Sequence, residues 1–394
     1  MGDPRTEAKL VDTNHVLVAA EDLDFDFFGS VVTFDALAAG HPVAEKTLYL
    51  TGDISRAHAL DLGSAARIFV IEELSRGHEH ERFERIELGR VPVRVGGAGV
   101  YYRRFFTGDH FHRICAEHTF QALTESVKPS KAHRTGIYLT PVTQEGDALC
   151  FHLLRCSSNL SGPTENFCAT DHHIVDALNR EASSIFVDHA PLNHVLAQIY
   201  PNTPAGDGQK QTKAKISAHA DKTKDMPLDG IMAFCTFYDG LAKLAPIGPF
   251  DVGYKGKTGL TKLHFRLKES SAAQLPRDFS LTLYPGSVFF MPLSTNRLYT
   301  HEIQSSILDA SMLPTRLGYV VRCSKTEAVH KSGTTFLKID GRLVPMDPPT
   351  PEGTAALREL YAAENRTDAF IDYGDRFRFS MNEGDYKAPD QKRG

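Results

Sequence analysis

The chain has 394 residues, is 41% hydrophobic and 24% charged, and carries 30 glycines and 21 prolines, a composition that excludes a disordered, collagenous or coiled-coil chain. Its formal net charge of −5 excludes a protein that grips nucleic acid with its whole surface, although a local basic patch stays open. No run approaches the ~18 apolar residues of a membrane helix, and the polar opening is unlike a secretory leader, so a cytoplasmic or nuclear protein with no membrane partner is expected.

Six scattered cysteines (Cys115, Cys150, Cys156, Cys168, Cys235, Cys323) form no Cys-x-x-Cys pair, which predicts free thiols rather than disulfides or structural zinc. Residues 1–90 mix an acidic opening with short apolar runs and read as an N-terminal α/β extension of unassigned role. From Val91 to Phe106 the β-branched and aromatic pattern with Gly96, Gly97 and Gly99 predicts strand, turn and strand. Apolar spacing predicts helices over 110–126 and 172–183, with strands at 135–140 and 148–154 between them. After Pro191 short strands follow closely, at 195–200, 230–238, 261–267, 279–284, 287–291 and 317–321, which points to an antiparallel sandwich or barrel. A last helix is expected near 354–363, followed by a polar segment that drapes or frays.

The chemistry-bearing residues lie in this strand-rich half. In Ile216-Ser217-Ala218-His219-Ala220-Asp221 the His and Asp stand two apart on an extended segment and point the same way, so they can reach one cation together. His301, in Tyr299-Thr300-His301-Glu302-Ile303, can supply a third ligand, and two His with one carboxylate form the facial triad that holds non-haem Fe(II) with open positions for a co-substrate and O2. Arg316 and Arg322 lie six residues apart on one predicted strand and face one side. A guanidinium there suits a dicarboxylate, which it grips through two parallel hydrogen bonds. A hydrolytic zinc site built from Asp171, His172, His173, Asp188, His189 and His194 is disfavoured, because the spacing is irregular and no His-Glu-x-x-His supplies a base.

These motifs occur in an order that resembles the AlkB-like family of Fe(II)/2-oxoglutarate dioxygenases. The resembling segments are Leu192 to Tyr200, His219-Ala220-Asp221, Tyr284-Pro285-Gly286-Ser287-Val288 with Met291, Tyr299 to Ile303, and Arg316 to Arg322, together about residues 191–325. The resemblance implies an α+β fold with a double-stranded β-helix (jelly-roll, cupin-like) core, flanking helices and the N-terminal extension. The core and its supporting helices would occupy 91–345, with an insertion near 241–262, and a C-terminal helix and tail 346–394. It implies that His219, Asp221 and His301 ligate Fe(II), that Arg316 and Tyr200 hold 2-oxoglutarate, and that Arg322 lines the site and braces Asp221. Gln198 stands where the family usually has Asn, and Gly318 where it often has Asn or Ser.

The implied reaction couples O2 and oxidative decarboxylation of 2-oxoglutarate to hydroxylation of a substrate C–H or N-methyl group, with a modified nucleobase of DNA or RNA as the leading substrate. Lys210, Lys213, Lys215, Lys222, Lys224 and the Tyr101 to Phe106 block, Tyr102 included, are candidate supports for nucleic acid, and Asn193 is counted with them. A small molecule or a protein side chain is the alternative substrate, and a catalytically inactive binding scaffold the remote one.

Overall fold

The computed structural model describes residues 7–10, 30–40, 47–55, 67–77, 83–124, 131–156, 160–206, 208 and 210–391. Eight strands position the site: β1 His194–Tyr200, β2 Ile216–His219, β3 Ile231–Asp239, β4 Lys262–Leu267, β5 Asp278–Thr282, β6 Val288–Pro292, β7 Tyr299–Gln304 and β8 Thr315–Arg322. They divide between two sheets. One has the order Glu165–Asn166, Lys131–Thr140, β1, β8, β3, β6, Gly99–Tyr102, Val93–Val95, and the other the order β2, β7, β4, β5. The chain therefore crosses from one sheet to the other at every step from β1 to β8 except the antiparallel β4–β5 pair.

Side-chain alternation explains why the large sheet is apolar on both faces. In β3, Met232 and Phe234 join Leu263, Phe265, Phe289, Met291 and Tyr299 between the two sheets. Ala233, Cys235 and Phe237 point the other way, into a second core with Ile114, Ile174, Leu178 and Ile185. That second core is closed by helices α1 (His110–Glu117) and α2 (Ala169–Ile185), whose apolar stripes face the sheet.

Helix α1 begins where the Asp109 side chain accepts the His112 amide, and it ends at Glu117, not near residue 126 as the spacing predicts. The reason is His118, whose backbone is extended and whose ring is clamped between the Glu165 and Asp171 carboxylates at 2.8 and 2.7 Å. Released from the helix, Gln121–Thr124 adds to the large sheet beside Lys131–Thr140.

The described part of the N-terminal region forms a parallel sheet, Ser30–Thr33, Thr47–Asp53, Arg67–Arg76 and Glu84–Ile86, with apolar clusters of its own. Residues 241–262 include a small three-stranded sheet, Ala245–Pro246, Val252–Tyr254 and Lys257–Thr258. The Arg103 and Arg104 guanidinium groups stack on Phe250 of this insertion at 4.8 and 5.4 Å.

Helix α3, Pro351–Arg366, starts with Thr350 accepting the Gly353 amide and Pro at its first turn. The segment beyond it does not drape or fray over its described length. Tyr373, Phe377 and Phe379 are buried against Leu357 and Tyr361 of α3, apolar anchors spaced too irregularly to show as a periodic signal. Among the described residues no helix is long and apolar enough to cross a membrane, and all six cysteines are free thiols.

Candidate active site

Between the two sheets opens a cavity of about 340 Å3 whose lining includes His219, Asp221, His301, Arg316 and Arg322. His219 ends β2 and His301 is its register partner on β7, so strand pairing alone brings the two rings to a centroid separation of 4.5 Å. Asp221 follows β2, and its Oδ1 lies 3.5 Å from His219 Nε2 and 3.8 Å from His301 Nε2. The potential ligand atoms of these residues all fall within 4.8 Å of one another.

The backbone beneath Asp221 is fixed by Asn296 of the short helix Leu293–Leu298. The Asn296 side chain accepts the Asp221 amide at 2.8 Å and donates to its carbonyl at 2.9 Å. The other carboxylate oxygen of Asp221 lies 2.7 Å from Arg322 Nη2. Burial alone would raise the Asp221 pKa, but the adjacent Arg322 charge outweighs it and holds the carboxyl well below the usual carboxylate range. Burial also pushes His301 down to about 3, so its imidazole is neutral and can offer a lone pair. One anionic oxygen and imidazole nitrogens suit a divalent first-row metal.

Arg316 and Arg322 both line the cavity from β8. Arg316 is 4% exposed, and among the described residues it has no carboxylate partner. Its Nε is buried without an acceptor, and its guanidinium stacks over the Tyr200 ring at 4.3 Å. Tyr200 and Gln198 of β1 are the register partners of Arg316 and Gly318, and the Tyr200 hydroxyl donates to Gln198 Oε1. A Cβ built on Gly318 would lie 2.9 Å from Arg316 Nη1, so the glycine leaves the space in which that guanidinium lies.

Sequence reasoning missed four lining or supporting residues. Thr236, paired with Gly318 across β3 and β8, puts a buried hydroxyl without a partner among the described residues on the cavity wall. Its spacing of two from Phe234 was the available signal. Arg134 lines the cavity, Asn365 of α3 reaches the lining from the far end of the chain, and Asn296 lies in a segment that reads as loop. None of these three carries a local signature.

The candidate substrate residues fare differently. Lys222 does line the cavity, but its ammonium is buried and donates to the Ala220 and Tyr361 carbonyls and to Asn365 Oδ1 at 2.9, 3.0 and 2.7 Å. It is a structural cation, as is the buried Lys224, whose ammonium faces the Phe377 and Phe379 carbonyls. Tyr102 is 2% exposed and donates to the Glu181 carboxylate at 2.6 Å in the core behind the large sheet. The Asn193 side chain donates to the Ser324 carbonyl and accepts the Ser324 amide, which ties the start of β1 to the segment after β8, and it does not line the cavity. Lys215 is exposed and lines an adjoining outer cavity. No residue of the 241–262 insertion lines the central cavity. Asp171 is claimed by His118, Tyr319 and the Cys168 amide, not by His172 or His173, which removes one of the two carboxylates of the alternative zinc site.

No family model matches the chain, and no curated protein matches it. Solved structures similar to it include a Pseudomonas putida prolyl-4-hydroxylase, 12% identical over 54% of this chain and 82% of that one, with a TM-score of 0.29. OsALKBH1 is 11% identical over 57% of this chain and 97% of its own, with a TM-score of 0.34. The Fe(II)/α-ketoglutarate-dependent dioxygenase TqaL is 7% identical over 55% of this chain and 72% of its own, with a TM-score of 0.23.

Proposed function

We propose that the protein is an Fe(II)- and 2-oxoglutarate-dependent dioxygenase built on a double-stranded β-helix, with His219, Asp221 and His301 as metal ligands. The observation that carries this reading is the meeting, in one cavity, of a His-Asp-His donor set with a buried arginine that has no carboxylate partner among the described residues. A buried guanidinium without an acceptor is costly, and a carboxylate from outside the chain relieves it.

Iron with bound 2-oxoglutarate and O2 supplies the oxidising power, and the protein supplies position. Arg322 keeps Asp221 anionic and orients it, so that Oδ1 is turned toward the two imidazoles. Arg316 would take the distal carboxylate of the co-substrate, and Thr236 and Tyr200 share the cavity lining with it. Leu196, Phe234, Leu263 and Leu283 give the cavity apolar walls that restrict water around the reacting centre. With iron and its co-substrate bound, the chemistry they would supply at this cavity is hydroxylation of a substrate C–H, and where that carbon is an N-methyl group the product would break down to formaldehyde and the amine.

Of the two substrate classes, the placement of the basic and aromatic residues favours the small molecule over the nucleobase. Lys222, Lys224 and Tyr102 are engaged inside the protein, which leaves Lys210, Lys213 and Lys215 as the remaining supports for nucleic acid.

Anaerobic titration with Fe(II) and 2-oxoglutarate tests the chemistry. A weak visible charge-transfer band is expected in the wild type and absent in His219→Ala. A band that never forms, or that persists unchanged in His219→Ala, overturns the assignment.

A further inference from the structure

The central cavity does not end at Tyr200. Arg134 and Tyr200 line it together with an outer cavity of about 540 Å3, which is also lined by Lys213 and Lys215. We infer, resting on the dioxygenase reading above, that the substrate is a small molecule bearing a carboxylate or phosphate, and that Arg134 holds this group at the junction of the two cavities.

Three observations converge. Arg134 precedes Thr135, the register partner of Ile199, so strand pairing sets it beside the Tyr200 end of β1. Its Nε is buried without a hydrogen-bond acceptor, and among the described residues no carboxylate is paired with it. The outer cavity has no acidic residue in its lining, and the one acid in the central lining, Asp221, is already opposed by Arg322. Lys213 gives one hydrogen bond to the Ser306 carbonyl and keeps further donors to offer, and Lys215 is exposed. Asp309, the acid that senses Lys213, is itself engaged by the Ser311 amide and hydroxyl.

On the dioxygenase reading the metal and Arg316 would take the two carboxylates of 2-oxoglutarate, which would leave an anion at Arg134 to the substrate. Arg134, Lys213 and Lys215 share the lining of one bounded cavity. That arrangement fits a single oxyanion better than a polyanion, whose repeated phosphates call for cations strung along a track.

The test uses the full chain loaded with 2-oxoglutarate and Mn(II), a stand-in for Fe(II) that avoids turnover, and calorimetric titration with inorganic phosphate and with acetate. Saturable binding is expected for at least one of them. It should weaken about ten- to a hundredfold in Arg134→Gln, as loss of a hydrogen bond to a charged group predicts, and recover in large part in Arg134→Lys. The 2-oxoglutarate affinity should stay within about twofold of wild type, since Arg316 is intact. Preference for phosphate assigns a phosphorylated substrate, and preference for acetate a carboxylic acid. Phosphate and acetate binding that is absent, or unchanged in Arg134→Gln, overturns the proposal while normal 2-oxoglutarate binding leaves the dioxygenase reading standing. An Arg134→Gln defect in 2-oxoglutarate binding places Arg134 in the co-substrate site instead, and length-dependent binding of a single-stranded oligonucleotide without a response to either small anion overturns the small-molecule class. Failure of 2-oxoglutarate to bind the wild type is the separate outcome that removes the dioxygenase reading itself.

Discussion

Gly318 shows how a single missing atom can make room for a buried guanidinium. Its register places it between Gln198 and Thr236, on the wall where Arg316 folds back over Tyr200. Gly318→Ala would bring a Cβ to 2.9 Å from Arg316 Nη1 and 3.2 Å from Nη2, so the guanidinium must move although β8 keeps its backbone hydrogen bonds. We expect the 2-oxoglutarate dissociation constant to rise about tenfold, the scale of one charge-assisted hydrogen bond impaired, with thermal stability nearly unchanged. Calorimetric titration beside a melting curve checks both halves, and an unaltered affinity would show that Arg316 does not need its present position. The grouping of His219, Asp221, His301, Arg316 and Arg322 in one cavity was legible in the sequence because His-x-Asp and the two arginines obey the period of a strand. Thr236 obeys the same period yet passed unnoticed, since a threonine in an apolar strand carries no chemical signature until its hydroxyl is seen without a partner.

At the scale of elements, hydrophobic periodicity located most of the strands, because β1, β3, β6 and β8 of the large sheet are sandwiched between two cores and read as apolar runs. It failed at the end of α1, where electrostatics decides. His118 is buried between Glu165 and Asp171, and Asp171 also accepts the Tyr319 hydroxyl, which ties α1 and α2 to β8 on the face opposite the cavity. Burial alone would lower the His118 pKa, but the hydrogen bonds to Asp171 and Glu165 outweigh it and the pKa is pushed up to about 9. A folded-state pKa above the ordinary 6.5 means that this pairing stabilises the protein fully below pH 6.5 and that the contribution is lost as pH rises through about 9. Its full size is on the order of 3 kcal/mol. Urea denaturation at pH 6.5, 8 and 9.5 should show that decline in the wild type, and His118→Gln should be less stable at pH 6.5 with the slope over this interval much reduced. Equal slopes in the two proteins would mean that the ring is already neutral in the fold.

On the scale of the whole molecule, the loop that carries Asp221 is held from the C-terminal end of the chain. Asn365 Oδ1 accepts the Ala220 amide and the Lys222 ammonium, Glu364 accepts the Thr223 amide and hydroxyl, and Lys222 also caps the Tyr361 carbonyl. Arg155, ion-paired to Asp225 at 2.7 Å, donates to the Phe377 carbonyl and so joins the same loop to the closing segment. Composition hides this role, because the polar residues of the tail are read as solvated while its aromatic anchors are few and irregularly spaced. Removing residues 351–391 would take the Tyr361 and Asn365 acceptors from the buried Lys222 ammonium and the Phe377 carbonyl from Arg155, which keeps Asp225, and a buried cation that loses its acceptors costs several kcal/mol. On the proposed dioxygenase reading the truncated chain is therefore expected to lose iron retention and the Fe(II)/2-oxoglutarate absorption band, even though all eight strands and His219, Asp221 and His301 are still present. The milder Asn365→Ala should keep the fold and weaken Fe(II) affinity about tenfold, as removal of a group that orients a ligand-bearing segment does. Iron content after gel filtration measures both, and full iron occupancy in either protein would show that strand pairing of His219 with His301 is enough to organise the site without the C-terminal helix.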